Sequence, residues 1–134
     1  MDHDDGVITQ PKFRMWLRPD GVVQLAWAPR VTMALDDAIG ATAAMAQLTG
    51  GRQGPLLVDM RDTGPQDRAA RAAWARPSAP LSAVALIVGS PLSRMMGNLF
   101  ISANRPTTPT RLFDNEASAV AWLQKFVGER QRLN

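Results

Sequence analysis

Residues 55–74, PLLVDMRDTGPQDRAARAAW, decide the fold: an uninterrupted apolar run, a charged cluster, a Gly-Pro breaker and an alanine-rich stretch. Gly54-Pro55 and Gly64-Pro65 bound the run too closely for a helix, and its Leu56-Leu57-Val58 centre suits a strand covered on both faces. The pattern therefore predicts a mid-sheet strand over 55–61 that delivers a helix over 65–76. Pro65 would take the first helical position and Asp67 would pair with Arg71 one turn on. Asp59, Arg61, Asp62 and Thr63 then fall just beyond the carboxyl end of the strand, where α/β sheets keep their working residues.

Upstream, residues 12–18 alternate Phe13, Met15 and Leu17 against polar or amphipathic neighbours, and Pro19-Asp20-Gly21 turns the chain into an apolar return over 22–28. That is a hairpin. Thr32 is placed to cap a helix over 33–49, with Asp36 and Asp37 at its positive end and Gly50-Gly51 to end it. Residues 1–10 carry no periodicity and read as a flexible tail, leaving 11–134 as a single domain.

Downstream, residues 81–89 form a second continuous apolar strand. Ser90-Pro91 is a strong helix start, and Leu92, Met95, Met96, Leu99 and Phe100 recur at helical spacing, predicting a buried stripe. By the same spacing Met45, Met95 and Met96 read as core. Residues 110–113 make a short strand, and Asp114 is expected to cap a last helix over 115–130 with Val120, Leu123, Phe126 and Val127 facing inward. The predicted class is α/β: a five-stranded, mostly parallel sheet with an antiparallel first strand and four helices, reached through right-handed crossovers.

Composition narrows the chemistry. The 134 residues are 46% hydrophobic and include no cysteine, so disulfides, thiolate nucleophiles and thiolate metal sites are unavailable. His3 is the only histidine, which removes His-based acid/base catalysis, a Ser-His-Asp triad and a His-rich metal site. No catalytic constellation, metal site or cofactor motif emerges; Gly50 to Gly54 lacks the Lys and Ser/Thr of a phosphate loop. The net charge of +3 is scattered among acids rather than run together, which argues against a nucleic-acid interface. The acidic, polar start does not read as a signal peptide and no run is long enough to span a bilayer, so a cytoplasmic protein is expected.

Three segments resemble the SpoIIAA-like group of small bacterial domains, which includes STAS and SEC14-type domains: LLVDMR (56–61), VALIVGSPLSRMMGNLF (84–100) and NRPTTPTRLFDNEASAVAWL (104–123). The resemblance implies a superhelix of βα units with helices gathered largely on one face. In STAS-type antagonists of anti-sigma factors, a Ser or Thr in an Asp-Ser-Ser-Gly stretch at a helix start is phosphorylated. Asp62-Thr63-Gly64-Pro65 is the matching place, and Thr63 its only hydroxyl, although one motif residue is missing and Pro follows the Gly.

The resemblance implies a non-enzymatic regulatory or protein-interaction domain, with a module binding an anion or lipid in the SEC14 manner as the alternative. Ser90, Ser93 and Arg94, in the first turn of their helix, are a candidate anion site. Trp16, Trp27, Arg61, Arg68 and Arg71 are candidate partner-facing residues. Tryptophans and aliphatics on a sheet face also predict a homodimer.

Overall fold

Local chemistry starts the sheet. Gly21 adopts a positive φ of 91° and the Asp20 carboxylate accepts the Val22 N–H at 3.1 Å, closing the turn that joins strands β2 (Phe13–Leu17) and β3 (Val23–Trp27). The computed structural model describes residues 6–77 and 81–132, the side chains as far as Val127. His3 lies outside them. A strand precedes the hairpin: β1, Val7–Thr9, pairs antiparallel with β2. The sheet therefore has six strands rather than five, and the expected tail over 1–10 is a sheet edge from Val7 onward. Ile8 supplies the reason, since its side chain is buried in the core beside Phe13.

Strands β4 (Gly54–Asp59), β5 (Leu81–Ile87) and β6 (Thr110–Phe113) continue in chain order, each parallel to its predecessor, with β3 and β4 also parallel. The crossovers hold helices α1 (Leu35–Thr49), α2 (Arg68–Ala75) and α3 (Pro91–Leu99), the last running into a π turn over Phe100–Asn104. Helix α4 (Glu116–Arg132) ends the chain. No helix among the described residues is long and apolar enough to cross a membrane.

Strand alternation builds two cores. Val23, Leu25 and Trp27, Leu56 and Val58, Val84 and Leu86 point to the face covered by α1, α2 and α3. Val22, Leu57, Ala83, Ala85 and Ile87 point to the other, where α4 sets Ala119, Leu123 and Val127 against them. The small side chains of Ala83 and Ala85 let α4 lie close. Three helices thus share one face, as the SpoIIAA-like pattern implies, and among the described residues α4 alone covers the second.

Helix starts depart from the sequence expectation for one shared reason. The segments before α1 and α2 are tied to each other: the Met33 N–H donates to the Pro65 carbonyl at 3.0 Å, and the Asp67 N–H donates to the Met33 carbonyl at 2.9 Å. Met33 and Gln66 form a parallel bridge. Both are thereby held extended. Helix α1 starts at Leu35, with the Asp37 carboxylate accepting the Ala34 N–H, so Thr32 is not its cap. Helix α2 starts at Arg68 instead of Pro65, and Asp67 caps it by accepting the Ala70 N–H at 2.7 Å. Helix α4 starts at Glu116, so Asn115 takes the capping place in front of it, accepting the Ser118 N–H at 2.8 Å, and Asp114 is engaged by Arg94 instead.

Helix α3 differs most. Its buried residues are Ser93 and Gly97, while Leu92 and Met95 are each 60% exposed and Leu99 is 54% exposed. Leu92, Met95 and Leu99 of the predicted apolar stripe lie on the outside, so Met95 is not core, while Met96 and Phe100 are half-buried and Phe100 packs against the core. A Cβ on Gly97 would sit 2.8 Å from the Leu112 side chain of β6, so the small face of α3 is what admits close approach to the sheet.

Candidate functional site

Of the residues singled out at the end of β4, Asp59, Arg61 and Thr63 are already engaged, and Asp62 is exposed. Arg61 folds back on Asp59 in a two-pronged contact, Nε to Oδ1 at 2.9 Å and Nη2 to Oδ2 at 2.6 Å. That hydrogen bonding is the main cause that holds the Asp59 carboxyl below its ordinary range, with burial opposing it, and it raises the Arg61 guanidinium in turn. Thr63 is half-buried and donates its hydroxyl to the Met60 carbonyl at 3.2 Å. It sits in the loop before α2, and the helix start belongs to Asp67.

Ser90, Ser93 and Arg94 do come together at the start of α3, but they satisfy one another. The Ser93 N–H donates to Ser90 Oγ at 3.0 Å, the Gly89 and Ser90 N–H groups donate to Ser93 Oγ, and the Arg94 N–H donates to the Ser90 carbonyl. Arg94 extends to Asp114. The donors an anion needs are largely taken.

The aromatic candidates separate. Trp16 is half-buried on the α4 side of the sheet with the Arg14 guanidinium over its ring. Trp27 corrects the expectation of a partner-facing residue: it is 8% exposed on the opposite face, in edge contact with Phe13 at 5.3 Å between ring centroids. The reason is parity, since Trp27 shares its side of β3 with Val23 and Leu25. Arg68 is exposed on α2. Arg71 turns back along the helix and donates from Nη1 to the Gln66 carbonyl at 2.7 Å, so the expected ion pair with Asp67 does not form.

What remains open is a cavity between the sheet, α2 and α3, with a volume of about 140 Å3. Val58, Val84, Leu86 and Trp27 form its floor, and Trp74, Met96, Leu99 and Phe100 its walls. Gln66 and Arg71 bring polar chemistry to one side of it, and Thr110 of β6 lines it with a hydroxyl that already donates to the Thr108 carbonyl at 2.8 Å; among the described residues no acidic one does. The Gln66 side-chain oxygen is buried and accepts no hydrogen bond among the described residues, while Arg71 makes no ion pair there. A wider groove between α1 and the β1–β2 edge is already crossed by the Lys12–Asp37 ion pair, 2.8 Å long. Among the described residues no cluster of three or more His, Asp or Glu side chains is placed to hold a metal.

Gln66, Trp74, Met96 and Phe100 were not singled out as a site from the sequence. Gln66 sits in a stretch that reads as a first helical turn, and its bridge to Met33, far away in the chain, together with the Arg71 side chain on its carbonyl, holds it beside the cavity.

The family profile described as a domain of unknown function, DUF7793, matches residues 15–127. Among solved structures, an uncharacterized DUF3478-family protein with a SpoIIAA-like fold from Shewanella loihica PV-4 superposes with a TM-score of 0.55. The two are 13% identical, over 88% of this chain and 90% of that one, a likeness of fold. A protein of unknown function from Arthrobacter sp. FB24 is 36% identical over 81% of this chain and 96% of its own, with a TM-score of 0.33. No curated protein matches the sequence.

Proposed function

We propose, for a chain that belongs to the DUF7793 family of domains of unknown function, a role as a non-enzymatic module that binds a small ligand between the sheet and helices α2 and α3. One observation carries the reading: the apolar cavity bordered by a buried, unpartnered Gln66 oxygen and an arginine without an ion pair. Protein interiors are packed with few voids larger than a water molecule, and buried polar atoms are nearly always partnered. A site that departs from both rules at once suits a pocket whose occupant completes it. Among the described residues its walls carry no paired nucleophile and base, so the reading is of binding rather than turnover.

The test is thermal denaturation with toluene, an apolar probe of cavity size. Saturating toluene should raise the melting temperature of the wild-type chain and leave that of Met96→Trp, which fills the cavity, unmoved. No rise in the wild type sinks the reading.

A second reading, an interaction domain closed by a second copy of the chain, is favoured by the exposed Leu92, Met95 and Leu99 ridge of α3. Trp27 has no part in it. Light scattering decides: a mass near 14.6 kDa at tens of micromolar protein rules the dimer out, and Met95→Lys should dissociate an authentic one.

A further inference from the structure

We propose that the cavity takes a small aromatic acid carrying a hydroxyl, a hydroxybenzoate-like molecule, with its carboxylate on Arg71 and its hydroxyl donating to the Gln66 side-chain oxygen. The inference rests on the ligand-module reading and goes further in naming the ligand's chemistry.

Volume sets the body. A space of about 140 Å3 is close to the roughly 150 Å3 of an apolar cavity that admits benzene, and far below the roughly 300–1,000 Å3 that larger ligands occupy. That is the space of one ring. The lining favours an aromatic ring over a compact aliphatic group, because Trp27, Trp74 and Phe100 offer ring faces and edges and Met96 a polarizable thioether.

Charge sets the anchor. Among the described residues Arg71 is the only charged one in the wall; it is half-buried and spends one nitrogen on the Gln66 carbonyl. The rest of its planar fork matches a carboxylate, and no acid among the described residues competes for it in the cavity. A cationic or neutral ligand would leave that charge uncompensated beside an apolar wall. The Gln66 oxygen is an acceptor without a donor, so the ligand must supply one, and a ring hydroxyl does so without adding a second charge.

The experiment uses the full chain and fluorine NMR, with 3-fluoro-5-hydroxybenzoate, whose hydroxyl is too far from its own carboxylate to bond it, and fluorobenzene titrated separately. Charge-assisted hydrogen bonding predicts that the acid binds about ten- to a hundredfold more tightly than fluorobenzene. Arg71→Gln should remove that advantage and leave fluorobenzene binding unchanged, which also reports that the cavity is intact. Arg68→Gln, exposed on the same helix, should change neither. Should Arg71→Gln fail to fold, Arg71→Lys carries the comparison, since it keeps the charge and loses the fork; acid binding should weaken while fluorobenzene binding holds. If fluorobenzene binds and the acid binds no better, the aromatic-acid inference falls and the ligand module stands. If the acid binds equally well to the arginine variants, the inference also falls. If neither probe binds, both readings fall.

Discussion

Gly97 of α3 rests on Leu112 of β6 so closely that a Cβ would stand 2.8 Å from Leu112 Cδ2 and 3.3 Å from Cδ1. This contact decides which side of α3 faces the sheet. Gly64 makes a tighter approach of a different kind, because its Cβ would stand 2.5 Å from the Val31 carbonyl oxygen, a backbone atom. Leu112 can rotate away; the carbonyl is fixed by the Gly64 N–H that donates to it at 2.9 Å. Gly97→Ala should therefore be nearly neutral, since the better helix propensity of alanine, about 1 kcal/mol, offsets the crowding. Gly64→Ala should cost about 1–3 kcal/mol. Urea denaturation of the two variants measures the difference, and equal losses would contradict the account.

The ridge on α3 gives a sharp contrast with its apparent role in sequence. Leu92→Lys and Met95→Lys should each change stability by no more than about 0.5 kcal/mol, as surface substitutions do. Leu86→Ala, on β5 beneath the cavity, should cost about 2–5 kcal/mol. A loss of core magnitude at Met95 would mean that the stripe faces inward after all.

Trp27 belongs to the core with Phe13. Trp27→Ala should cost about 3–5 kcal/mol. Trp27→Glu should leave little folded protein at room temperature, because it places a carboxylate among apolar side chains with no partner. Circular dichroism tests this directly, and a folded Trp27→Glu chain would place the ring outside the core.

Acid stability should report Asp59. Hydrogen bonding from Arg61 holds its folded value below the ordinary 3.8, so the unfolded state binds the proton more readily and stability falls as pH falls. The contribution is complete above 3.8 and is lost as pH drops through the folded value. Asp37 behaves the same way, its carboxyl lowered first by the Ala34 N–H and then by Lys12. Melting temperature followed over about pH 2 to 5 should therefore decline less steeply in Asp59→Asn than in wild type. Both groups are partly exposed, so the differences should be modest and smaller at high salt. An unchanged slope would show that the Asp59 pair contributes nothing to folding.

Much of the fold was legible along the chain because it rests on near neighbours. The continuous apolar runs at 56–58 and 81–88 had to be central strands, the Ser90-Pro91 start had to begin a helix, and Pro19-Asp20-Gly21 had to reverse the chain. The strand at 110–113 appears with the expected bounds. Each signal is local, a matter of hydrogen-bond donors, φ values and side-chain spacing within a few residues.

The candidate site was hardly legible, and the reason is physical. Periodicity says that a helix has two unlike faces; it does not say which one is buried. Close packing decided that for α3, where Ser93 and Gly97 permit an approach that Leu92 and Met95 would block. Parity alone likewise left both sides of β3 apolar, and only the placement of α1 and α2 over one side and α4 over the other buried Trp27 beneath the helices. The cavity depends on such choices made together, with Gln66 held by Met33, Arg71 drawn to the Gln66 carbonyl, and Met96 and Phe100 left at the wall as α3 turns outward. The sequence by itself determined the elements and their order; tertiary packing determined which side chains were left facing an unfilled space.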